Sequence, residues 1–309
     1  VTPLRIAVGP IAFRPADVPV LSGLAALAAV AALVGRVAQG PALAARTLAV
    51  TAAYLGAIRL EARLPARTVR PVLRFAAVTL ALAYLFGAVA PLQLVLHGRW
   101  LDQSVLDLEQ AALGVQPTLW LERCVRPWLT EWLMFTYVIY LALYPALAVL
   151  LWERHGEAAL EHYLLALALA NVACDVGFVL YPVAGPLPFM GARYTVPLDG
   201  WGWTWLAGLL RDRAHYVGGT IPSPHCAAAT VMWGVMWRWY RPAFWALAAV
   251  IVSLYLSTVY GRFHYLTDAV AGVAAALGVL AIAPRLLAAW SRVAGRRIEG
   301  AHSVDRARP

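Results

Sequence analysis

The sequence contains no lysine: all 25 of its basic residues are arginine, and only 13% of its 309 residues carry a charge. With 62% hydrophobic residues and a mean hydropathy of +0.68, the chain has too little polar surface for a soluble domain of this size. That class is excluded, and the chain is expected in a bilayer. Cysteine is scarce too: Cys124, Cys174 and Cys226 are odd in number and unpaired in spacing, which suggests neither a disulfide framework nor a zinc site. The N-terminus lacks the basic, apolar and small-residue order of a cleavable signal peptide. The sequence opens on Val1 rather than Met, so a start upstream is expected. No internal repeat is visible.

Long apolar runs are what the chain does have. They cover Val18 to Val34, Ala42 to Ile58, Phe75 to Leu96, Trp128 to Leu151, Tyr163 to Tyr181, Cys226 to Trp239, Ala243 to Tyr260 and Tyr265 to Ala283. The reading is an all-α, polytopic membrane helix bundle of about eight transmembrane helices. The first two runs are Ala-rich and form a peripheral hairpin on a six-span core. Three regions follow: 1–74 as N-terminal tail and hairpin, 75–288 as the catalytic membrane core, and 289–309 as a basic, disordered cytoplasmic tail.

The net charge of +9 implies topology rather than nucleic acid, which is not an expected partner. Arg59, Arg63, Arg67, Arg70 and Arg74 fall between the second and third runs, Arg238 and Arg241 between the sixth and seventh, and Arg285, Arg292, Arg296, Arg297, Arg306 and Arg308 after the last. An even number of spans puts these on one side with Arg5 and Arg14, and the positive-inside rule makes that side the cytoplasm. The opposite side receives His97 to Arg126, with Asp102, Asp107, Glu109 and Glu122, the long segment Pro182 to Pro222, and the turn at Gly261. These form an extracytoplasmic cap. Within it Trp201, Trp203 and Trp205 read as an aromatic belt, and Trp100 to Leu121 as a segment lying flat on the interface.

Two stretches of that cap carry chemistry. In Pro222-Ser223-Pro224-His225, Ser223 is a favoured helix N-cap and Pro224 a favoured first residue, so His225 sits in the first turn of the sixth span. The unpaired N–H groups of that turn offer an anion site. In the second stretch, His264 and Asp268 are four residues apart and share one helical face. Asp268 can then accept from one ring nitrogen of His264 and leave the other free to attack phosphorus. Each residue alone has a plain structural reading, an interfacial histidine or a satisfied pair. Together, at one membrane face, they read as a site. Glu131, Asn171 and Asp175, near outer span ends, either face the cavity to bind an acceptor alcohol or pair with Arg123, Arg126 or Arg193; structural pairing is favoured.

These residues resemble the membrane-bound type 2 phosphatidic acid phosphatase superfamily, also called lipid phosphate phosphatases. Its signatures are K-x6-R-P, P-S-G-H and S-R-x5-H-x3-D. Residues 222–225 are similar to the second with Pro224 for Gly, and His264 with Asp268 keeps H-x3-D of the third. Where the third motif has Ser-Arg, this chain has Ser257-Thr258, and Arg262 is the nearest substitute. Arg63 with Arg70-Pro71 matches the first motif's spacing but lies on the cytoplasmic side and reads as a decoy. The segment from Tyr181-Pro182 through Gly185-Pro186 to Arg193-Tyr194, together with Thr258-Val259-Tyr260-Gly261-Arg262-Phe263-His264-Tyr265, resembles the aureobasidin-resistance branch, the inositol phosphorylceramide synthases.

The resemblance implies that His264 is the nucleophile, His225 the proton donor to the leaving oxygen and Asp268 the orienter of His264. Arg193, Arg262, Arg213 and Ser223 are the candidate phosphate-binding residues. It implies no cofactor and no metal, and a lipid phosphate or phospholipid as substrate. The function so implied is hydrolysis of lipid phosphate or diphosphate esters through a phosphohistidine. The alternatives are transfer of a phospho-headgroup to a lipid alcohol, and a transporter or channel. The expected location is an integral membrane site, the bacterial inner membrane, with the site facing outward; the Ala-rich, lysine-free composition hints at a GC-rich genome.

Overall fold

The structure is a computed structural model and describes residues 4–34, 40–64, 69–214 and 216–306. Arg67 and Arg308 lie outside the described residues, as do the side chains of Arg297 and Arg306. A short antiparallel hairpin, β1 (Ile6–Val8) and β2 (Ile11–Phe13), precedes twelve α-helices among the described residues. In order they are α1 (Asp17–Leu33), α2 (Gly40–Arg63), α3 (Val69–Ala88), α4 (Asp102–Leu113), α5 (Pro117–Trp120), α6 (Pro127–His155), α7 (Glu157–Leu180), α8 (Pro186–Met190), α9 (Gly202–Ala214), α10 (Pro224–Trp239), α11 (Arg241–Tyr260) and α12 (Leu266–Arg306).

The fold is the expected all-α polytopic bundle. Each of the eight apolar runs is a helix, and six of them, α2, α3, α6, α7, α11 and the first part of α12, are long and apolar enough to cross a membrane. The two shorter ones are α1, with 17 residues, and α10, with 16. Sixteen residues rise roughly 24 Å, less than the roughly 30 Å of a hydrocarbon core. α10 is thus a short central helix, buried from Cys226 through Met232 and packed by α7, α11, α12 and α6. Its first turn, which carries His225, opens among the other helices.

The expectation of a disordered tail after residue 288 is overturned. α12 runs without a break from Leu266 to Arg306. The indole N–H of Trp290 donates to the Leu4 carbonyl at 2.9 Å and Ala294 is buried, so this stretch of the helix is held against the bundle rather than solvated all round.

The alternation of helix directions is visible in the side chains that meet. At one end, the starts of α1, α3 and α7 and the end of α2 share a buried charge network. Arg74 is fully buried, pairs with Glu161 at 2.7 and 3.0 Å, and also bonds Asp17, which accepts from Tyr54 at 2.6 Å. Arg14 pairs with Glu61 at 2.5 Å and Glu157 at 3.0 Å. Counted as a topology signal in the sequence, Arg74 is here a bolt between α1, α3 and α7.

The other end carries a cap made of α4, α5, α8, α9 and their connections. α4 is amphipathic, burying Asp102, Val105, Leu106 and Glu109 on one face. The cap's carboxylates accept from backbone N–H groups of other segments. Asp102 takes those of Ala184 and Gly185 at 2.8 and 2.9 Å, Glu109 that of Thr267 at 2.9 Å, and Glu122 those of Thr195 and Val196 at 3.0 and 3.2 Å. Glu131 of α6 takes those of Trp201, Trp203 and Thr204 and so caps α9 from outside. The expected partner of Glu131 was an arginine; a helix N-terminus, with its unpaired donors, serves instead. Asn171 and Asp175 make no arginine pair either: Asn171 Oδ1 and both Asp175 oxygens are buried with no hydrogen-bond partner among the described residues.

Candidate active site

The local sequence builds each half of the site. Ser223 has extended backbone, φ −60° and ψ 115°, and its hydroxyl accepts from the Cys226 N–H at 3.3 Å, so α10 starts at Pro224 with an N-cap in place. Its backbone N–H donates to the Asp268 carbonyl at 2.9 Å, tying the start of α10 to the start of α12. Two glycines make room. A Cβ on Gly177 of α7 would lie 2.3 Å from Pro222 Cδ, and one on Gly272 of α12 would lie 2.4 Å from the Ser223 carbonyl oxygen.

In the other half, α11 ends at Tyr260 and the chain turns through Arg262, whose φ of +62° is uncommon for a residue with a side chain. The Thr258 carbonyl then accepts from both Phe263 and His264 N–H at 3.0 Å, which fixes the backbone of His264 against the last turn of α11. Asp268 Oδ2 accepts from the Tyr265 N–H at 3.0 Å and so caps its own helix.

The halves meet at the imidazoles. His225 Nδ1 lies 3.1 Å from His264 Nε2, with the rings edge to face. On its other side His264 Nδ1 faces Asp268 Oδ2 at 3.6 Å, an ion-pair distance longer than a hydrogen bond. Ser223, His264 and Asp268 are buried. His225, His264, Asp268 and Ser223, which the sequence reading brings together, are therefore together. The geometry also adds Tyr137 of α6, which that reading passed over. Its hydroxyl is 3.1 Å from His225 Nε2, and its ring stacks between His225 and Phe263 at centroid distances of 4.9 and 4.1 Å.

The arginines divide. Arg262 reaches Glu122 at 2.9 Å and the Val196 carbonyl, and its guanidinium lies 4.2 Å above the Tyr194 ring. Burial pulls it below its ordinary pKa, with the Glu122 carboxylate opposing. It ties the cap strap 194–196 to the corner before His264. Arg193 is exposed at the end of a short turn, and Arg213 is exposed on α9. Arg211, two residues nearer the helix centre, is half-buried and pairs with the neighbouring Asp212 at 3.0 Å. Among the described residues, no three His, Cys, Asp or Glu side chains cluster as a metal-binding set.

An apolar groove of about 760 Å³ runs between the α4–α5 elbow and α11–α12, lined by Leu266, Ala269, Val270 and Val273 among others. Helical spacing puts these residues on the face of α12 away from Asp268, so the groove faces outward from the bundle rather than into the imidazole pair.

A family model described as PAP2 superfamily matches residues 103–282, more than half of the chain. The chain belongs to the PAP2 superfamily. The match takes in both halves of the site and the whole cap from α4 onward, and it leaves out α1, α2, α3 and the end of α12. No curated protein and no solved structure matches the chain. Membership of the PAP2 superfamily assigns a phosphatase or phosphotransferase type of function to this membrane protein.

Proposed function

We propose that the protein cleaves phosphate or diphosphate esters of membrane lipids through a phosphohistidine on His264. The observation that carries this reading is the line Asp268, His264, His225: a carboxylate faces Nδ1 of His264 while His225 Nδ1 faces the opposite nitrogen, Nε2. Asp268 favours the proton on Nδ1, which leaves the Nε2 lone pair as nucleophile. In the first step Nε2 bonds to phosphorus, the bond from phosphorus to the lipid oxygen breaks, and protonated His225 gives its Nδ1 proton to that oxygen. In the second, His225 takes a proton from water, the resulting hydroxide bonds to phosphorus, and the N–P bond breaks. Phosphate leaves and both imidazoles return to their starting states.

A direct 3.1 Å contact between the two nitrogens leaves no room for phosphorus. The substrate's phosphoryl group therefore replaces that contact, and the 3.6 Å separation from Asp268 shortens as His264 gains positive charge. The N–H groups at the start of α10, the Ser223 hydroxyl and a guanidinium hold the equatorial oxygens. Arg262 serves only if phosphate displaces Glu122; Arg193, Arg213 and Arg211 are the other candidates.

A second reading, transfer of the phospho-headgroup to a lipid alcohol, is favoured by the burial of His264, which restricts water. The catalytic core is residues 75–288, with α1 and α2 as a hairpin bolted to it. The site end faces away from the cytoplasm, a placement supported by the arginines gathered at the opposite end.

Incubation with lipid phosphates labelled at phosphorus tests all of this. The expected result is an acid-labile protein-bound label that His264→Ala abolishes. Free phosphate as product supports hydrolysis, labelled lipid product without free phosphate supports transfer, and turnover by His264→Ala overturns the mechanism.

A further inference from the structure

We propose that Tyr137 is a positioning residue for the proton donor: its hydroxyl holds His225 so that all proton transfer at this imidazole goes through Nδ1. The inference rests on the phosphohistidine reading and assigns to the reaction a residue that lies outside the motifs.

The two ring nitrogens of His225 face different partners. Nδ1 of His225 faces the reacting centre, 3.1 Å from His264 Nε2, and Nε2 faces the Tyr137 oxygen, also at 3.1 Å. An imidazole free to turn over would present either nitrogen, and only one orientation is productive. Stacking alone leaves that choice open, because the ring's two edges are similar in shape. The phenol settles it by giving Nε2 a polar partner, with the Tyr140 ring on a neighbouring side at a centroid distance of 5.3 Å. Tyr137 is itself held: its ring is sandwiched between His225 and Phe263, and α6 is pinned to α11 by the Thr130–Tyr260 hydroxyl contact at 2.6 Å.

A hydroxyl suits this role because it both donates and accepts. When His225 is protonated, Nε2–H donates to the phenol oxygen and Nδ1–H points at the leaving oxygen. After Nδ1–H has moved to that oxygen, Nε2–H still donates to Tyr137 and the Nδ1 lone pair is ready to take a proton from water or alcohol. When His225 is neutral with its proton on Nδ1, as in the direct contact with His264, the phenol turns and donates to Nε2. A carbonyl or a carboxylate in the same place supports only the first two states. Among the described residues, the titratable or charged groups around this pair include Tyr140 on α6, Cys226 on α10, Arg211 on α9, and His264 with Asp268 at the start of α12.

The experiment is Tyr137→Phe, which keeps the ring and the stack, assayed on two substrates that differ in leaving group. With a lipid phosphate, whose alkoxide needs protonation, kcat is expected to fall about 10- to 100-fold with KM nearly unchanged. With p-nitrophenyl phosphate, whose leaving group needs no acid, the single-turnover rate of nitrophenolate release is expected to change less than about threefold, since only the later hydrolysis step uses His225. Nitrogen-15 spectra of the histidines in the purified, folded variant are expected to show His225 shifted towards a mixture of tautomers.

Equal losses on both substrates with an unchanged His225 spectrum would overturn the inference, since loss of packing acts on both alike. His264→Ala, run alongside, separates the two failures. If that variant is inactive and Tyr137→Phe behaves like the wild type, the role of Tyr137 fails alone. If His264→Ala still turns over, the phosphohistidine reading fails as well.

Discussion

The two ends of this helix bundle bury polar groups in opposite ways. At the end formed by the starts of α1, α3 and α7, charge is matched with charge: the Arg74 guanidinium is met by both Glu161 oxygens and by Asp17, and Arg14 by Glu61 and Glu157. At the other end, the cap's carboxylates are matched chiefly with backbone N–H groups, with the Glu122–Arg262 ion pair beside them, and the site's nitrogens are matched with a second imidazole and a phenol. A network of permanent opposite charges gains nothing from a ligand and costs much to break, so it reads as architecture. Partners that change protonation or give way to a phosphoryl group read as chemistry. One class of residue, the buried ionisable side chain, thus does two jobs in one chain, and the partner tells which.

Removing one group from each end gives the sharpest contrast. His264→Ala is expected to lower turnover at least about 10⁴-fold while leaving thermal stability within about 1 kcal/mol. Arg74→Met is expected to do the reverse. It strands Asp17 and Glu161 as buried carboxylates and costs about 3–5 kcal/mol, while the fraction that remains folded keeps its turnover per molecule. Denaturation in detergent together with active-site titration checks both. A stable Arg74→Met protein, or an unfolded His264→Ala one, breaks the comparison.

Next in size are changes that leave the chemical groups but move them. Gly272→Val puts a side chain against the Ser223 carbonyl, which cannot yield because Ser223 N–H is bonded to Asp268. The start of α10 must then shift from α12. Since misplacement by about an ångström costs about 10²-fold, a loss of that order is expected, with intact helix content by circular dichroism. Asp268→Asn keeps the shape of the cap on Tyr265 N–H but removes the negative charge facing His264. Its expected cost is about 10²- to 10⁴-fold in kcat, larger at the phosphohistidine-forming step than in substrate binding, which single-turnover kinetics resolves.

The sequence shows the apolar runs, their alternation and the two motif halves clearly, because a span needs some twenty apolar residues and a phosphoryl-transfer site needs its imidazoles at helix starts. It shows Ser223, Pro224 and His225 as a helix opening because N-cap chemistry is local. What it hides has non-local causes. Tyr137 looks like one more aromatic in a membrane run; only the facing of α6 on α10 puts its hydroxyl on His225. Arg262 looks like a free guanidinium replacing a missing motif arginine, yet Glu122, 140 residues away, holds it. The roles of Asp102, Glu109 and Glu131 are silent in sequence for a different reason: their partners are backbone N–H groups, which every residue but proline has. The helical continuation past 288 is hidden because basic composition suggests a solvated tail, whereas Trp290 contacts Leu4 at the far end of the sequence.

The smallest expected effect tests the cap end alone. Asp102 and Glu109 both have pKa values raised above the ordinary carboxylate range, because burial outweighs the N–H bonds that oppose it. A carboxyl with a raised folded-state pKa binds more protons folded than unfolded, so its contribution to stability is fully present below the unfolded pKa and is lost as pH rises through the folded value. Acidification from neutrality into that range is therefore expected to tighten the cap. Hydrogen exchange of the Ala184, Gly185 and Thr267 amides, corrected for the intrinsic rate, should show protection rising modestly at the lower pH. Asp102→Asn should flatten the response at Ala184 and Gly185 but leave it at Thr267, which bonds Glu109. The charge network at the opposite end, where each carboxylate faces a guanidinium, gives no reason for such tightening. Protection that falls on acidification at the cap would mean that the carboxylates hold it as anions, as they do around Arg74, and the distinction between the two ends would then lie only in the imidazoles.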